Sequence, residues 1–155
     1  MSANILVLDD EQNYLLVLES ILEDEGYSVT ALSDPEMGLA YMEDSEVDVV
    51  LTDMKMPKLT GQDVLEHVRR TYPHVPVVIM TAFGSVESAV EAMRVGAFDY
   101  LTKPFANEEL LLTVSKAVQF SGTQRENIRL REQFQEHFGA DNIVGKGKAM
   151  GRVMD

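Results

Sequence analysis

The chain of 155 residues is 45% hydrophobic and carries a formal net charge of −13, so it has enough apolar material for one core and a short appendage. It contains no cysteine, which excludes disulfides and thiolate metal sites and favours a reducing cytoplasm. The N-terminus lacks signal-peptide features, and no run approaches the roughly 20 apolar residues that span a bilayer. A cytoplasmic protein without membrane contact is expected.

Charge divides the chain near residue 120. Residues 1–119 hold 21 acidic and 7 basic side chains, whereas residues 120–155 hold 5 acidic and 6 basic ones. Nucleic-acid backbones require a cationic surface, so we expect no nucleic-acid binding by the acidic part. Solubility alone explains most of the acidic excess.

Five short apolar runs, each followed by a segment with helical spacing, indicate alternating strands and helices. The runs are Ile5–Leu8, Tyr27–Leu32, Val47–Leu51, Val75–Met80 and Phe98–Leu101. The third and fourth runs are continuously apolar in their centres, which is typical of strands buried on both faces of a parallel sheet.

Helix signals follow the runs in chain order. Gly26 stands where a left-handed cap would end the first helix, and the fourth helix is expected to end near Gly96. Asp34 supplies an N-cap for the second helix, and Thr60 or Gly61 opens the third. Apolar residues at helical spacing mark the first, fourth and fifth helices: Tyr14, Leu18, Ile21 and Leu22; Val86, Ala89, Val90 and Met93; Leu110, Leu111, Val114, Ala117 and Val118.

Five such units predict an α/β fold, a doubly wound five-stranded parallel sheet of order 2-1-3-4-5 with five helices. Ligands of such sheets bind outside the carboxyl ends of the central strands. The residues that follow the predicted strands are Asp9, Asp10, Glu11, Asp53, Thr81, Ala82, Thr102, Lys103 and Pro104. An aspartate after a strand is usually a turn residue or a helix cap, but here several strand ends carry reactive groups together.

Three carboxylates in this set predict a cation site. Asp9, Asp10 and Asp53 held a few ångströms apart would repel one another, and a hard divalent cation such as Mg²⁺ relieves that repulsion. A carboxylate can attack phosphorus once Mg²⁺ and an ammonium such as that of Lys103 neutralise the donor's charge. Asp53 is the candidate nucleophile.

Four segments resemble the receiver domains of two-component signalling: LVLDDE at 6–11, LTDMKMPKLTG at 51–61, MTAFG at 80–84 and FDYLTKPF at 98–105. The resemblance covers about residues 4–119. It implies that Asp53 accepts a phosphoryl group from a histidine kinase, and that the domain is a switch without enzymatic turnover. It also implies that Mg²⁺ is held by Asp10, Asp53 and the backbone carbonyl of Lys55, with Asp9 assisting through water.

The same resemblance assigns roles at the later strand ends. Thr81 would hydrogen-bond the phosphoryl group, Lys103 would pair with it, and the small Ala82 would leave room for its entry. Tyr100 would turn inward with Thr81 on activation. The peptide bond between Lys103 and Pro104 is expected to be cis.

Beyond residue 119 a weaker helical pattern predicts a linker helix over 120–139. Ser121 and Gly122 interrupt it, and a glycine costs roughly 1 kcal/mol relative to alanine within a helix, so the pattern leaves its continuity with the fifth helix open. Ile128, Leu130 and Phe134 suit a homodimer contact, together with the face of the fourth and fifth helices. A solvated spacer is the alternative.

Residues 143–154, IVGKGKAMGRVM, resemble the opening of the AAA+ ATPase domain of sigma-54-dependent activators. The resemblance implies that residues 140–155 begin a truncated ATPase domain that the receiver domain at 1–119 regulates. Gly147 stands where a phosphate-binding loop requires serine or threonine, so nucleotide binding by this chain is not predicted.

Two other functions fit parts of the pattern. A phosphohydrolase of the haloacid dehalogenase type also uses Mg²⁺, an aspartyl nucleophile, a threonine and a lysine. It places the nucleophile after the first strand, however, with a second aspartate two residues later, whereas Asp9 and Asp10 are adjacent. An interaction module without phosphorylation is the second alternative, and the complete set of site groups speaks against it.

Overall fold

The computed structural model describes residues 2–82 and 86–143, with side chains described as far as residue 131. The strands are β1 Asn4–Leu8, β2 Ser28–Leu32, β3 Val49–Asp53, β4 Val77–Thr81 and β5 Asp99–Thr102. They form one parallel sheet of order β2-β1-β3-β4-β5, which confirms the predicted fold. β3 and β4 begin two residues later than predicted. Val47 and Val75, which the prediction included in the strands, are buried but belong to the connections before them.

The helices are α1 Gln12–Asp24, α2 Pro35–Asp44, α3 Gly61–Thr71, α4 Val86–Val95 and α5 Asn107–Ile143. Their ends follow local chemistry. The Asp34 carboxylate accepts from the backbone N–H of Glu36 at 2.9 Å, and Thr60 forms a capping box with Asp63 before α3. Gly26 and Gly96 adopt φ values of +99° and +121°, as left-handed helix ends require.

Alternate residues of the strands pack into two apolar clusters, one on each face of the sheet. Leu6 and Leu8 of β1 lie in the cluster that α2, α3 and α4 cover. Ile5 and Val7 lie in the cluster that α1 and α5 cover. This division is the doubly wound arrangement, and it leaves the carboxyl ends of the strands between the two helical layers.

Of the predicted apolar stripe of α4, only Ala89 lies on the buried face of the helix. Val86, Val90 and Met93 are 68%, 53% and 42% exposed, whereas Ala89 and Ala92 are buried. Small alanine side chains allow the helix backbone to approach the core closely. The spacing therefore predicts the helix correctly but does not identify its buried face.

α5 continues through Ser121 and Gly122 to Ile143, so the predicted linker helix is helical and joined to the fifth helix. The chain divides into compact units at residues 1–122 and 123–155. The division into receiver, linker and ATPase segments stays a prediction, because residues 144–155 and the side chain of Phe134 lie outside the described part. Within the described ranges, no helix is long and apolar enough to cross a membrane.

Candidate functional site

A cleft of about 240 Å³ opens where the carboxyl ends of the central strands meet. The strand register brings these ends level, since Asp53 pairs with Met80 and Thr81 with Thr102. The cleft is lined by Asp10, Glu11, Asp53, Met54, Lys55, Thr81, Ala82, Ser88 and Lys103. Six of these nine residues are sequence-predicted site residues.

The loop after β3 holds Asp53 at the cleft through a close approach at Gly61. The Gly61 N–H donates to the carbonyl of Met54 at 2.8 Å. A Cβ atom at Gly61 would lie 2.4 Å from the backbone carbonyl oxygen of Asp53, so any larger residue displaces the strand end. Lys58 in the same loop adopts a left-handed φ of 73°. Its ammonium donates to the carboxylate of Asp34, which precedes α2, at 3.0 Å.

The three predicted carboxylates converge. Asp9, Asp10 and Asp53 each offer an oxygen, and these oxygens lie within 4.8 Å of one another. Burial, and then the charge of Asp9, raise the pKa of Asp53, although Lys103 opposes this shift. Clustered hard oxygen donors that repel one another suit a divalent cation such as Mg²⁺.

Lys103 is the cation nearest to this cluster among the ion pairs of the described residues. Its ammonium donates to Asp9 Oδ2 at 2.8 Å and lies 3.4 Å from Asp53 Oδ2. Burial opposes the charged form, but the hydrogen bond to Asp9 and the charges of Asp53 and Asp9 outweigh it, so the pKa of Lys103 is raised. The peptide bond from Lys103 to Pro104 is cis, as predicted.

Both carboxylate oxygens of Asp9 accept hydrogen bonds from the protein. Asp9 is fully buried. Its Oδ1 accepts from the Glu11 N–H at 2.9 Å, and its Oδ2 accepts from Lys103. Asp10 is exposed and Asp53 is half-buried at the cleft, so these two are the more accessible to a ligand.

The remaining predicted residues lie at the ends of β4 and β5. Thr81 is buried at the cleft wall, Ala82 is exposed there, and the Lys103 N–H donates to the Thr81 carbonyl at 2.7 Å. The Tyr100 side chain is 42% exposed. Its inward turn on activation stays a prediction.

Glu11 and Met54, each next to a predicted site residue in the chain, line the cleft without having been predicted as site residues. Two further unpredicted contributions come from helices. Ser88 lines the cleft from α4, and the Lys103 ammonium lies 4.3 Å from the centroid of the Tyr14 ring. The sequence marks both residues only as parts of helices. Their positions follow from how α4 and α1 pack on the sheet, which residue spacing alone does not specify.

Comparisons with known proteins agree with this arrangement. The family described as the response regulator receiver domain matches residues 5–115. Regulatory protein AtoC of Escherichia coli is 35% identical over 146 residues, covering 94% of this chain and 32% of that protein. Transcriptional regulatory protein ZraR of Salmonella typhimurium is 34% identical over 152 residues, covering 98% and 33%. The chain thus spans about a third of the length of these curated relatives.

Solved structures give the same result. A response regulator receiver domain protein from Clostridium thermocellum is 39% identical with a TM-score of 0.72, covering 76% of this chain and 94% of that one. NtrX from Brucella abortus, in complex with ADP, is 34% identical with a TM-score of 0.78, covering 84% and 30%. The chain therefore belongs to the receiver domain family of two-component response regulators.

Proposed function

We propose that this chain is a Mg²⁺-dependent phosphoacceptor switch in which Asp53 receives a phosphoryl group from a histidine kinase. One observation carries the proposal: the half-buried Asp53 faces an open cleft with two further carboxylates beside it and the Lys103 ammonium 3.4 Å away. A nucleophile, a cation site and a fixed positive charge are the groups that phosphoryl transfer requires.

Asp10 and Asp53 would hold Mg²⁺ directly, together with the backbone carbonyl of Lys55. Asp9 would assist through water, because its oxygens already accept from the Glu11 N–H and from Lys103. When bound, the ion supplies charge neutralisation for the phosphoryl group and its acceptor. Burial, and then the charge of Asp9, raise the pKa of Asp53, and a bound cation would favour the ionised carboxylate against both effects.

In the transfer, an Asp53 carboxylate oxygen forms a bond to phosphorus as the bond from phosphorus to the donor breaks. The donor keeps the electron pair, and the kinase histidine returns to its free form. Lys103 pairs with the phosphoryl oxygens, the Thr81 hydroxyl donates to one of them, and Ala82 leaves space for their entry. Attack by water on the aspartyl phosphate later resets the switch, so we expect no multiple-turnover activity.

The output would pass through the surface beside Thr81. A phosphoryl group on Asp53 that draws Thr81 towards the cleft opens space for the exposed Tyr100. The positions of the Thr81 and Tyr100 side chains then both depend on whether Asp53 is phosphorylated. We infer that this shift changes a homodimer arrangement formed by the linker helix and by the face of the fourth and fifth helices.

A downstream ATPase of a sigma-54-dependent activator, acting in the bacterial cytoplasm, would be the target of this switch. The resemblance of residues 143–154 supports the assignment. It is also supported by similarity to the transcriptional regulatory protein ZraR over 152 residues, which extends beyond the 5–115 that the receiver family matches.

The decisive experiment is mass spectrometry after treatment with acetyl phosphate and Mg²⁺. The wild type should gain one phosphoryl group on Asp53, and Asp53→Asn should gain none, because an amide is a poor nucleophile. Asp48→Asn is the matched control, since Asp48 accepts from the Asn4 N–H at 2.7 Å and lies outside the cleft lining. An unlabelled wild type, or labelling of Asp53→Asn at the same site, would contradict the proposal.

The metal and dimer steps are tested separately. Asp10→Ala should weaken Mg²⁺ binding in a titration followed by amide resonances. Sedimentation with and without beryllofluoride should show a change of association state. Charged replacements of Ile128 and Leu130 should weaken the association, because they remove apolar burial. A wild type that stays monomeric in both states at high concentration would refute the dimer step alone.

A further inference from the structure

The Lys103 ammonium has a third neighbour besides Asp9 and Asp53, which is the face of an aromatic ring. Its Nζ lies 4.3 Å from the centroid of the Tyr14 ring. The same ring meets Phe105 edge to face, with centroids 6.0 Å apart and an angle of 77° between the planes. Tyr14 therefore contacts two residues of the segment that follows β5.

The position of the Tyr14 ring is fixed by its own helix. It lies on α1 directly before Leu15, which is buried in the cluster between α1, α5 and the sheet. The contact with Phe105, a residue packed against the same cluster, fixes the ring from the other side. Tyr14 thus presents a rigid surface to a lysine whose four-carbon stem has many rotamers.

The Tyr14 ring also stabilises the positive charge of the Lys103 ammonium. The Lys103 side chain is 20% exposed, so water has limited access to it. The negative face of an aromatic ring attracts a cation, more strongly when water is largely excluded. This attraction adds to that of the two carboxylates and, unlike theirs, uses no metal-ligating oxygen.

That difference matters because Lys103 is closer to Asp9, at 2.8 Å, than to Asp53, at 3.4 Å. A phosphoryl group on Asp53 requires the ammonium to turn from Asp9 towards Asp53. A neutral ring face can keep contact with the ammonium in both positions, whereas a carboxylate holds it in one.

We propose that Tyr14 is a positioning residue for Lys103, and that its ring face keeps the ammonium beside Asp53 during phosphoryl transfer. The inference rests on the proposed function, in which Asp53 is the acceptor. The ring face and not the hydroxyl carries the effect, so phenylalanine replaces tyrosine and an aliphatic residue does not.

The test compares Tyr14→Phe, Tyr14→Leu and the control Val17→Ala, which changes a half-exposed residue of the same helix. Two quantities are measured: the initial rate of labelling by acetyl phosphate at saturating Mg²⁺, and the ring-current shift of the Lys103 Cε protons before phosphate is added. Tyr14→Phe and Val17→Ala should keep both. Tyr14→Leu should lose the shift and label roughly three- to tenfold more slowly.

A Lys103→Met background separates positioning from packing. If Tyr14 acts through Lys103, Tyr14→Leu should cause no further slowing there. The same slowing in that background, an unchanged Lys103 shift in Tyr14→Leu, or equal labelling rates of Tyr14→Leu and wild type would each overturn the inference. A wild type that takes up no phosphate would instead refute the proposed function, and the inference would fall with it.

Discussion

Polar side chains lie at both ends of the sheet, and the two groups differ in how their hydrogen bonds and charges are balanced. Near the amino ends, the Asn4 side-chain amide donates to Tyr41 Oη at 3.1 Å and to the Glu46 carbonyl at 2.8 Å. The Thr30 hydroxyl also donates to Tyr41 Oη, at 3.1 Å. These groups satisfy one another, so they stabilise the fold and leave little for a ligand to bind.

At the carboxyl ends the balance is incomplete. Asp9, Asp10 and Asp53 converge within 4.8 Å, and the main cation near them, Lys103, is shared between Asp9 and Asp53. A carboxylate with a perturbed pKa in an open cleft, here Asp53, is typical of a functional site. The comparison indicates that structural polar groups have their hydrogen bonds made within the protein, whereas the site holds more negative charges than nearby cations can balance.

The largest effect should come from Gly61→Ala, which places a methyl group against the strand end that carries Asp53. The new Cβ would lie 2.4 Å from the Asp53 carbonyl oxygen and 2.8 Å from Met54 Cα. Backbone atoms cannot yield cheaply, so we expect a loss of about 3 kcal/mol in the free energy of unfolding, together with loss of phosphorylation. Denaturant unfolding and mass spectrometry measure the two quantities.

Gly38→Ala is the matched control for crowding. Its Cβ would lie 2.5 Å from Leu8 Cδ2, the end of a side chain. Gly38 is within α2, where alanine is favoured over glycine by about 1 kcal/mol, and this gain offsets part of the cost of shifting the buried Leu8 side chain. Stability should therefore fall less than in Gly61→Ala, and phosphorylation should persist. If Gly61→Ala labelled as well as Gly38→Ala, the close approach would not matter for the site.

The next effect is a difference in pH dependence between two aspartates. The pKa of Asp53 is raised by burial and by Asp9, whereas the hydrogen bond from Lys58 lowers the pKa of Asp34. A raised folded-state pKa means that stability present below the unfolded pKa is lost as the pH rises through the folded pKa. A lowered one means that stability present above the unfolded pKa is lost as the pH falls through the folded pKa.

The two asparagine variants should therefore diverge in metal-free buffer. Asp53→Asn should gain stability relative to wild type as the pH rises from about 3 to 7, and Asp34→Asn should lose stability relative to wild type over the same interval. Denaturant unfolding at several pH values measures both. Parallel curves for the two variants would contradict the contrast between Asp53, whose pKa is raised by burial and by Asp9, and Asp34, whose pKa is lowered by Lys58.

Sequence alone predicted those features that depend on local order. Continuous apolar runs identified the strands, and the strand-end rule, with the receiver resemblance, identified Asp53, Thr81 and Lys103 at the cleft. It did not predict the exposed stripe of α4 or the contact of Tyr14 with Lys103. These depend on which helix face packs against the sheet, and helical periodicity is compatible with more than one choice when small and large apolar residues alternate.

The smallest effect should come from the amino end, where Tyr41→Phe removes a hydroxyl that accepts from Asn4 and Thr30. We expect a loss of about 1 kcal/mol in the free energy of unfolding and no change in labelling of Asp53, since the network lies at the other end of the sheet. A cycle with Thr30→Val isolates the hydroxyl contact, because the two changes should be less than additive. Slower labelling of Tyr41→Phe at full stability would show that the two ends are coupled, and the distinction between structural and functional polar groups would fail.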